Sequence, residues 1–254
     1  MSFNRDHHDD FAKASKYDLL AKYYKYSDPA LHVAYYYQHL KYIRRAVQSM
    51  RMEAAQQYES MRQPATVRVV HASPDAPNVD IYVNGNRILK DFPYKDVSGY
   101  LSLPAGKYQI DIYPAGDMVS TVLSKKVTVE GGKSYTLAAA GPAAKLKLLA
   151  FEDQPSVPAG ETKARFIHLS PDAPAVDIAV KKGDVIFPNI SFRQATQYLG
   201  LTPMTVDLEV RVSGSSNTVL SLPGVKLQPN KVYTILAVGT AAGEPPLEAL
   251  IIEG

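Results

Sequence analysis

The sequence predicts a mainly β chain: two tandem antiparallel β-sandwich domains preceded by an α-helical segment. Three observations carry this. A motif of ten residues occurs twice, at an offset of 97. Short alternating apolar segments between Pro, Gly and Asn-Gly turns fill residues 64–254. Before them, residues 30–63 contain neither Gly nor Pro and keep a helical apolar period.

The N-terminal segment spans residues 1–63. Residues 1–12 are polar and expected to fray, and Ala14 to Tyr26 reads as a short helix. Ser27-Asp28-Pro29 is a helix start, a capping residue followed by Pro at the first helical position. A helix from Pro29 to Met61 would be about 50 Å long. Along it Val33, Tyr36, Leu40, Ile43, Val47, Met50, Ala54, Gln57 and Met61 follow a 3-4 spacing, which is a heptad seam. Such a seam either assembles chains through a coiled coil or bundle, or packs the helix on the first helix or on its own β-domain. Binding to a membrane surface fits less well, because the polar face is rich in Tyr and Gln. Tyr23, Tyr24, Tyr26, Tyr35, Tyr36 and Tyr37 form a Tyr-rich stretch suited to a contact surface or a cross-linked coat, or to packing on the β-domain.

The first β-domain is read at 64–152, a short Pro-containing linker at 153–162 and the second β-domain at 163–254. Arg68-Val-Val-His71-Ala-Ser73-Pro74-Asp75-Ala-Pro77 is matched by Arg165-Phe-Ile-His168-Leu-Ser170-Pro171-Asp172-Ala-Pro174, and Val79-Asp80-Ile81 by Val176-Asp177-Ile178. Tyr100-Leu101, Thr121-Val-Leu-Ser124 and Tyr135-Thr-Leu137 recur as Tyr198-Leu199, Thr218-Val-Leu-Ser221 and Tyr233-Thr-Ile235. In each copy a first strand leads into a proline turn. A second strand follows, ended in the first copy by Asn84-Gly85, a hairpin signal because a type I′ turn needs positive φ. Pro104-Ala-Gly106 and Gly131-Gly132 mark later turns; the second copy has weaker ones at Lys182-Gly183 and Thr202-Pro203.

The His-x-Ser-Pro-Asp-Ala-Pro-x-Val-Asp signature, the Leu-Pro-Ala-Gly-x-Tyr turn and the Gly-Lys-x-Tyr-Thr strand resemble the bacterial domain of unknown function 4397, in two copies over about 190 residues. The resemblance implies an immunoglobulin-like (Ig-like) or transthyretin-like sandwich and no established activity. Its members often look like surface or secreted proteins. This chain differs in its helical extension and in a charged N-terminus without an apolar signal-peptide core, which points away from ordinary Sec-dependent secretion.

The chemistry-bearing residues are few. His71, Ser73 and Asp75 recur as His168, Ser170 and Asp172. They are the candidate ligand-binding set, on the loops that sandwiches use for binding. As a hydrolytic triad they would have to converge in space, whereas alternate residues running into a proline turn more readily satisfy local backbone groups. His71, Asp75 and Asp80 lack a compact metal-ligand spacing, and His7-His8-Asp9-Asp10 reads first as a solvated terminus. Gly131-Gly132-Lys133 lacks the rest of a phosphate loop.

Composition narrows the classes. With 46% hydrophobic residues the chain can build cores, and with no Cys it has neither disulfides nor thiolate sites. The net charge of +3 lies wholly in the N-terminal segment and is too small for a nucleic-acid stripe. No transmembrane helix, cofactor or catalytic centre is expected. The expected function is a non-enzymatic structural or interaction protein, made in the cytoplasm and suited to a cell-envelope or spore-type surface layer, with self-association or another protein as partner. The alternative is a carbohydrate or cell-wall ligand-binding module using the Ser-Pro-Asp-Ala-Pro loops.

Overall fold

The computed structural model describes residues 3–254, apart from the side chains of residues 3–7, 60 and 61. His7 of the His-His-Asp-Asp tract and Met61 at the end of the seam therefore lie outside the described side chains. The chain forms two compact units, residues 1–63 and 64–254.

The first unit is a helical hairpin of α1 (Phe3–Tyr24) and α2 (Pro29–Arg62). Helix α1 starts well before Ala14, so the expectation of a frayed stretch to residue 12 is corrected. The reason is local: polar residues are good helix formers when paired, as Lys13 is with Asp9 one turn away. Asp28 caps α2, its Oδ1 accepting the amides of Ala30 and Leu31 at 3.1 Å each, with Pro29 at the first helical position. No described helix is long and apolar enough to cross a membrane.

The second unit holds both β-domains. The first contains β1 (Ala65–Ala72), β2 (Val79–Val83), β3 (Asn86–Phe92), β4 (Leu101–Leu103), β5 (Gly106–Pro114), β6 (Leu123–Val129), β7 (Ser134–Ala140) and β8 (Lys147–Asp153). These form two sheets, ordered β4-β1-β7-β8 and β3-β2-β5-β6. The second domain repeats them as β9 (Thr162–His168), β10 (Val176–Val180), β11 (Val185–Ile190), β12 (Leu199–Leu201), β13 (Met204–Val212), β14 (Thr218–Leu227), β15 (Lys231–Val238) and β16 (Glu248–Glu253), ordered β12-β9-β15-β16 and β11-β10-β13-β14. The sheets are antiparallel except for one parallel pair per domain, β1 with β7 and β9 with β15. Asn84 and Gly85 both take positive φ, as the β2–β3 hairpin requires. The weaker Lys182-Gly183 turn belongs to a wider loop, in which Val180 N bonds Asp184 O.

Alternation along the strands explains the layering. Val67 and Val69 face their own sandwich core with Ile81, Ile112, Leu137 and Leu148. Arg68, Val70 and Ala72 point the other way and are buried too. A third cluster accounts for this: Val70, Ala72, Ala138 and Ala140 pack against Ile167, Leu169, Leu236, Val238 and Ile252. The β1 and β9 sheets thus lie face to face. The two domains make a four-layer stack with three apolar interlayers, and the segment 154–161 joins them.

Candidate functional site

The repeated Ser-Pro-Asp-Ala-Pro loops come first. His71 and His168 are buried at the ends of β1 and β9. The Nε2 of each lies 3.1 Å from a carbonyl oxygen, Pro77 or Pro174, so Nε2 carries the proton and donates. His71 Nδ1 then accepts the Ser73 amide at 3.4 Å, whereas His168 Nδ1 is buried with no hydrogen-bond partner. Burial lowers the pKa of both imidazoles and outweighs the proline carbonyls and, for His71, nearby Asp96, all of which act in the opposite direction. Ser73 and Ser170 are buried as well. Ser73 Oγ donates to Gly141 O at 2.6 Å and does not bond His71, so the hydroxyl pins the loop to the end of β7. Only Asp75 and Asp172 are exposed. They accept main-chain amides, Asp75 from Ala143, and Asp172 from Ala241 and Ala242. The sequence grouping is therefore brought together in space in both copies, as a set of loop-fixing bonds.

The carboxylates of the Val-Asp-Ile strands do similar work. Asp80 accepts the Asp91 amide at 2.7 Å and faces Arg87. These bonds hold its pKa below the usual carboxylate range. Burial works against Asp177, but the amides of Asn189 and Gly214 and the Ser213 hydroxyl outweigh it and leave its pKa lowered. In each copy the amide held belongs to a residue with positive φ, Asp91 or Asn189, at an irregularity in the β-ladder. Asp80 thus fixes a bulge, with Asp91 and Arg87 as its partners. Among the described residues no group of three or more His, Asp or Glu is placed to hold a metal ion.

Between the domains lies a buried polar centre that the sequence analysis did not single out. Arg68 and Arg165, which open the repeated motif, both reach Asp153 at the end of β8. Arg165 bonds Asp153 directly with Nη2, while Arg68 Nε lies 3.7 Å away. Arg68 Nη1 donates to Glu253 O at 2.6 Å and Arg165 Nη1 to Glu152 O at 2.7 Å, so each arginine ties its domain to the other. Tyr100 and Tyr198 cover the guanidinium groups, with centroid distances of 4.8 and 4.7 Å. Burial and the bond to Asp153 raise the pKa of Tyr100. The available signal was Arg sharing a strand face with apolar residues in both copies, Arg68 with Val70 and Ala72 and Arg165 with Ile167 and Leu169, because a charge on a face that is buried must meet a partner.

In the helical hairpin, the faces that meet are not the predicted seam. Ala14 and Ala21 of α1 and Ala46 of α2 are buried. Tyr17 stacks on Tyr35 and Tyr42, and Tyr24 on Tyr35. His32 and His39 donate through Nδ1 to the Ala21 and Ala14 carbonyls at 2.9 and 3.0 Å. The stripe His32, Tyr35, His39, Tyr42, Ala46 has its own 3-4 spacing, offset from the seam by one residue. Of the seam, Val33, Tyr36, Val47 and Met50 are exposed, and Leu40 and Ile43 are half-buried. The Tyr-rich stretch divides likewise: Tyr24 and Tyr35 serve the hairpin, while Tyr23, Tyr26, Tyr36 and Tyr37 are exposed.

Each sandwich also encloses an apolar cavity. The first, about 200 Å³, is lined by residues including Val67, Ile81, Ile88, Leu101, Ile110 and Leu137. The second, about 290 Å³, lies among the corresponding Ala164, Ile178, Ile186, Leu199, Leu208 and Ile235.

Residues 65–179 match a family described as a domain of unknown function (DUF4397), a stretch that covers the first β-domain and runs into β10 of the second. No curated protein matches the chain. Among solved structures, the chain is similar to the C-terminal domain of AlgF from P. aeruginosa, with 17% identity, a TM-score of 0.30, and 37% of this chain and 99% of that one covered. It is also similar to the Bacillus anthracis TIE protein, with 12% identity, a TM-score of 0.24, and 70% of this chain and 34% of that one covered. A putative cell adhesion protein from Bacteroides ovatus shows 10% identity and a TM-score of 0.22, with 75% and 96% covered.

Proposed function

We propose that the protein is a non-enzymatic structural element whose chains assemble through α2, in a cell-envelope or spore-type surface layer, with the tandem Ig-like sandwiches as its stiff body. The observation that carries this is the stripe Val33, Tyr36, Leu40, Ile43, Val47 and Met50. It has heptad spacing, and four of its six side chains stay exposed after the helical hairpin has formed through a neighbouring stripe. A heptad stripe of this kind is suited to a second copy of itself, since knobs of one helix fill the holes of the other. The buried interface between the β-domains supports the stiff body, because independent domains would not bury Val70, Ala138, Ile167 and Leu236 against one another. The repeated loops support a non-enzymatic role: their serine hydroxyl, imidazole and carboxylate are spent on backbone groups.

The test is solution mass by light scattering, for the full chain and for Val47→Glu/Met50→Glu. Both positions are exposed, so the hairpin should stay helical by circular dichroism. The full chain is expected to be multimeric and the variant monomeric. Equal masses for the two would sink the assembly role of this stripe. The carbohydrate-binding alternative rests on Asp75 and Asp172, the exposed members of the loops. A cell-wall pull-down unaffected by Asp75→Asn/Asp172→Asn would remove that support.

A further inference from the structure

We infer that each β-sandwich is a receptor for one linear alkyl chain, held in the cavity between its two sheets. The two cavities are built from corresponding strands of the two copies, although the residues differ: Val67 and Ala164, Val69 and Phe166, Leu89 and Phe187, Tyr108 and Val206. The space persists while its wall changes, whereas simple packing would close it by the rule that interiors tolerate few voids larger than a water. Both cavities exceed the ~150 Å³ of an apolar cavity that stays dry and takes up benzene.

Their chemistry selects the ligand. The second cavity is lined without a charged residue or a hydroxyl. The first has only Ser102 and Tyr108, and Tyr108 turns its hydroxyl outward to the Pro104 carbonyl at 2.8 Å. Sugars, nucleotides and peptides would lose their hydrogen bonds on entry, so hydrocarbon is the class that fits. The cavities reach the surface at exposed residues: Ile88 of edge strand β3 at the first, and Leu199 of edge strand β12 with Met204 at the start of β13 at the second. A polar head group would remain there in water. At about 30 Å³ per heavy atom, the share of a water in the liquid, the cavities would take chains of about seven and ten carbons. An alkyl chain of this kind could come from a free fatty acid or from a membrane lipid.

The experiment uses the full-length protein with methyl-labelled Ile and Leu. Decanoate is titrated below its micelle concentration while the Ile110, Leu137, Ile178 and Ile235 methyl resonances are followed. Saturable shifts in both domains are expected. Val83→Phe and Val180→Phe each add a ring to one cavity. Each should weaken decanoate binding at least tenfold in its own domain and leave the other unchanged, which controls for folding. Absence of saturable shifts at the cavity methyls, or shifts unaltered by the phenylalanines, would overturn the inference. Co-sedimentation with phosphatidylcholine vesicles separates the sources. Vesicle binding lost in the double variant points to membrane lipid, and decanoate binding without vesicle binding points to free chains.

Discussion

The two β-domains share one topology and one loop motif, yet the loop of the first is bonded more completely than the loop of the second. In the first, His71 uses both ring nitrogens and Ser73 makes a 2.6 Å bond to Gly141. In the second, His168 Nδ1 has no partner, and Ser170 Oγ reaches Asp172 at 3.4 Å. The interface is unequal too, but there Arg165 of the second domain holds the direct bond to Asp153 while Arg68 Nη2 of the first has no partner. Asp153 pairs with the β7 end at Ser134, and the corresponding position beside β15 is Gly254, which bonds Val232. One carboxylate therefore faces two arginines. Duplication has preserved the fold while the charge balance has come to rest on a single residue of one copy.

The sharpest way to break this comparison is Asp153→Ala. It leaves two buried guanidinium groups without their counter-charge, and removing one member of a buried ionic set costs about 3–5 kcal/mol. Denaturant unfolding should show this loss in the full chain, and a change below about 1 kcal/mol would mean that the arginines do not depend on the carboxylate. Acid gives the next largest effect. His71 and His168 have folded pKa values below 6.5, so the unfolded chain takes up protons first as the pH falls. Stability is fully present above pH ~6.5 and is lost below it, by at most about 1.4 kcal/mol per pH unit for each histidine. Asp80 and Asp177, also depressed, add to the loss only at more acidic pH, below their ordinary value of 3.8. His71→Gln/His168→Gln should flatten the slope between pH 6.5 and 5 while the acid limb persists. The smallest effect separates the copies most directly. Ser73→Ala should cost about 1–3 kcal/mol, as expected when a buried carbonyl is left unpaired, and Ser170→Ala about 1 kcal/mol or less. Equal costs would erase the distinction.

Much of the β-architecture was legible because its signals are local. The duplicated motif gave the domain number, period-2 alternation gave the strands, and Asn84-Gly85 gave its hairpin. The parallel pairing of β1 with β7 was not, since nothing near either strand encodes a partner so distant in sequence. Nor was the inter-domain face: Val70 and Ala72 on the second side of β1 announce burial on both faces, but only three dimensions show what covers them. On α2, counting apolar residues found the exposed stripe and passed over the stripe that holds the hairpin. That one is made of His, Tyr and Ala, whose contribution comes from ring stacking, carbonyl bonds and close approach. The loop residues stood out in sequence by their repetition, but whether a polar side chain faces water or backbone is decided by burial, which a motif does not record.

The parallel β1–β7 ladder also bears on the order in which the chain can fold. Thr66 and Ser134 meet across 68 residues of intervening chain. Strand β1, at the centre of its sheet, leaves the ribosome before β7 exists, and that ladder cannot close until nearly the whole domain has been made. Contacts this distant in sequence slow folding, since loop closure must precede them. The helical hairpin is built from local contacts and can form at once. During synthesis the proposed assembly element is therefore available before the domains it would join, and if chains assemble through α2 as proposed they can meet while their sandwiches are still open.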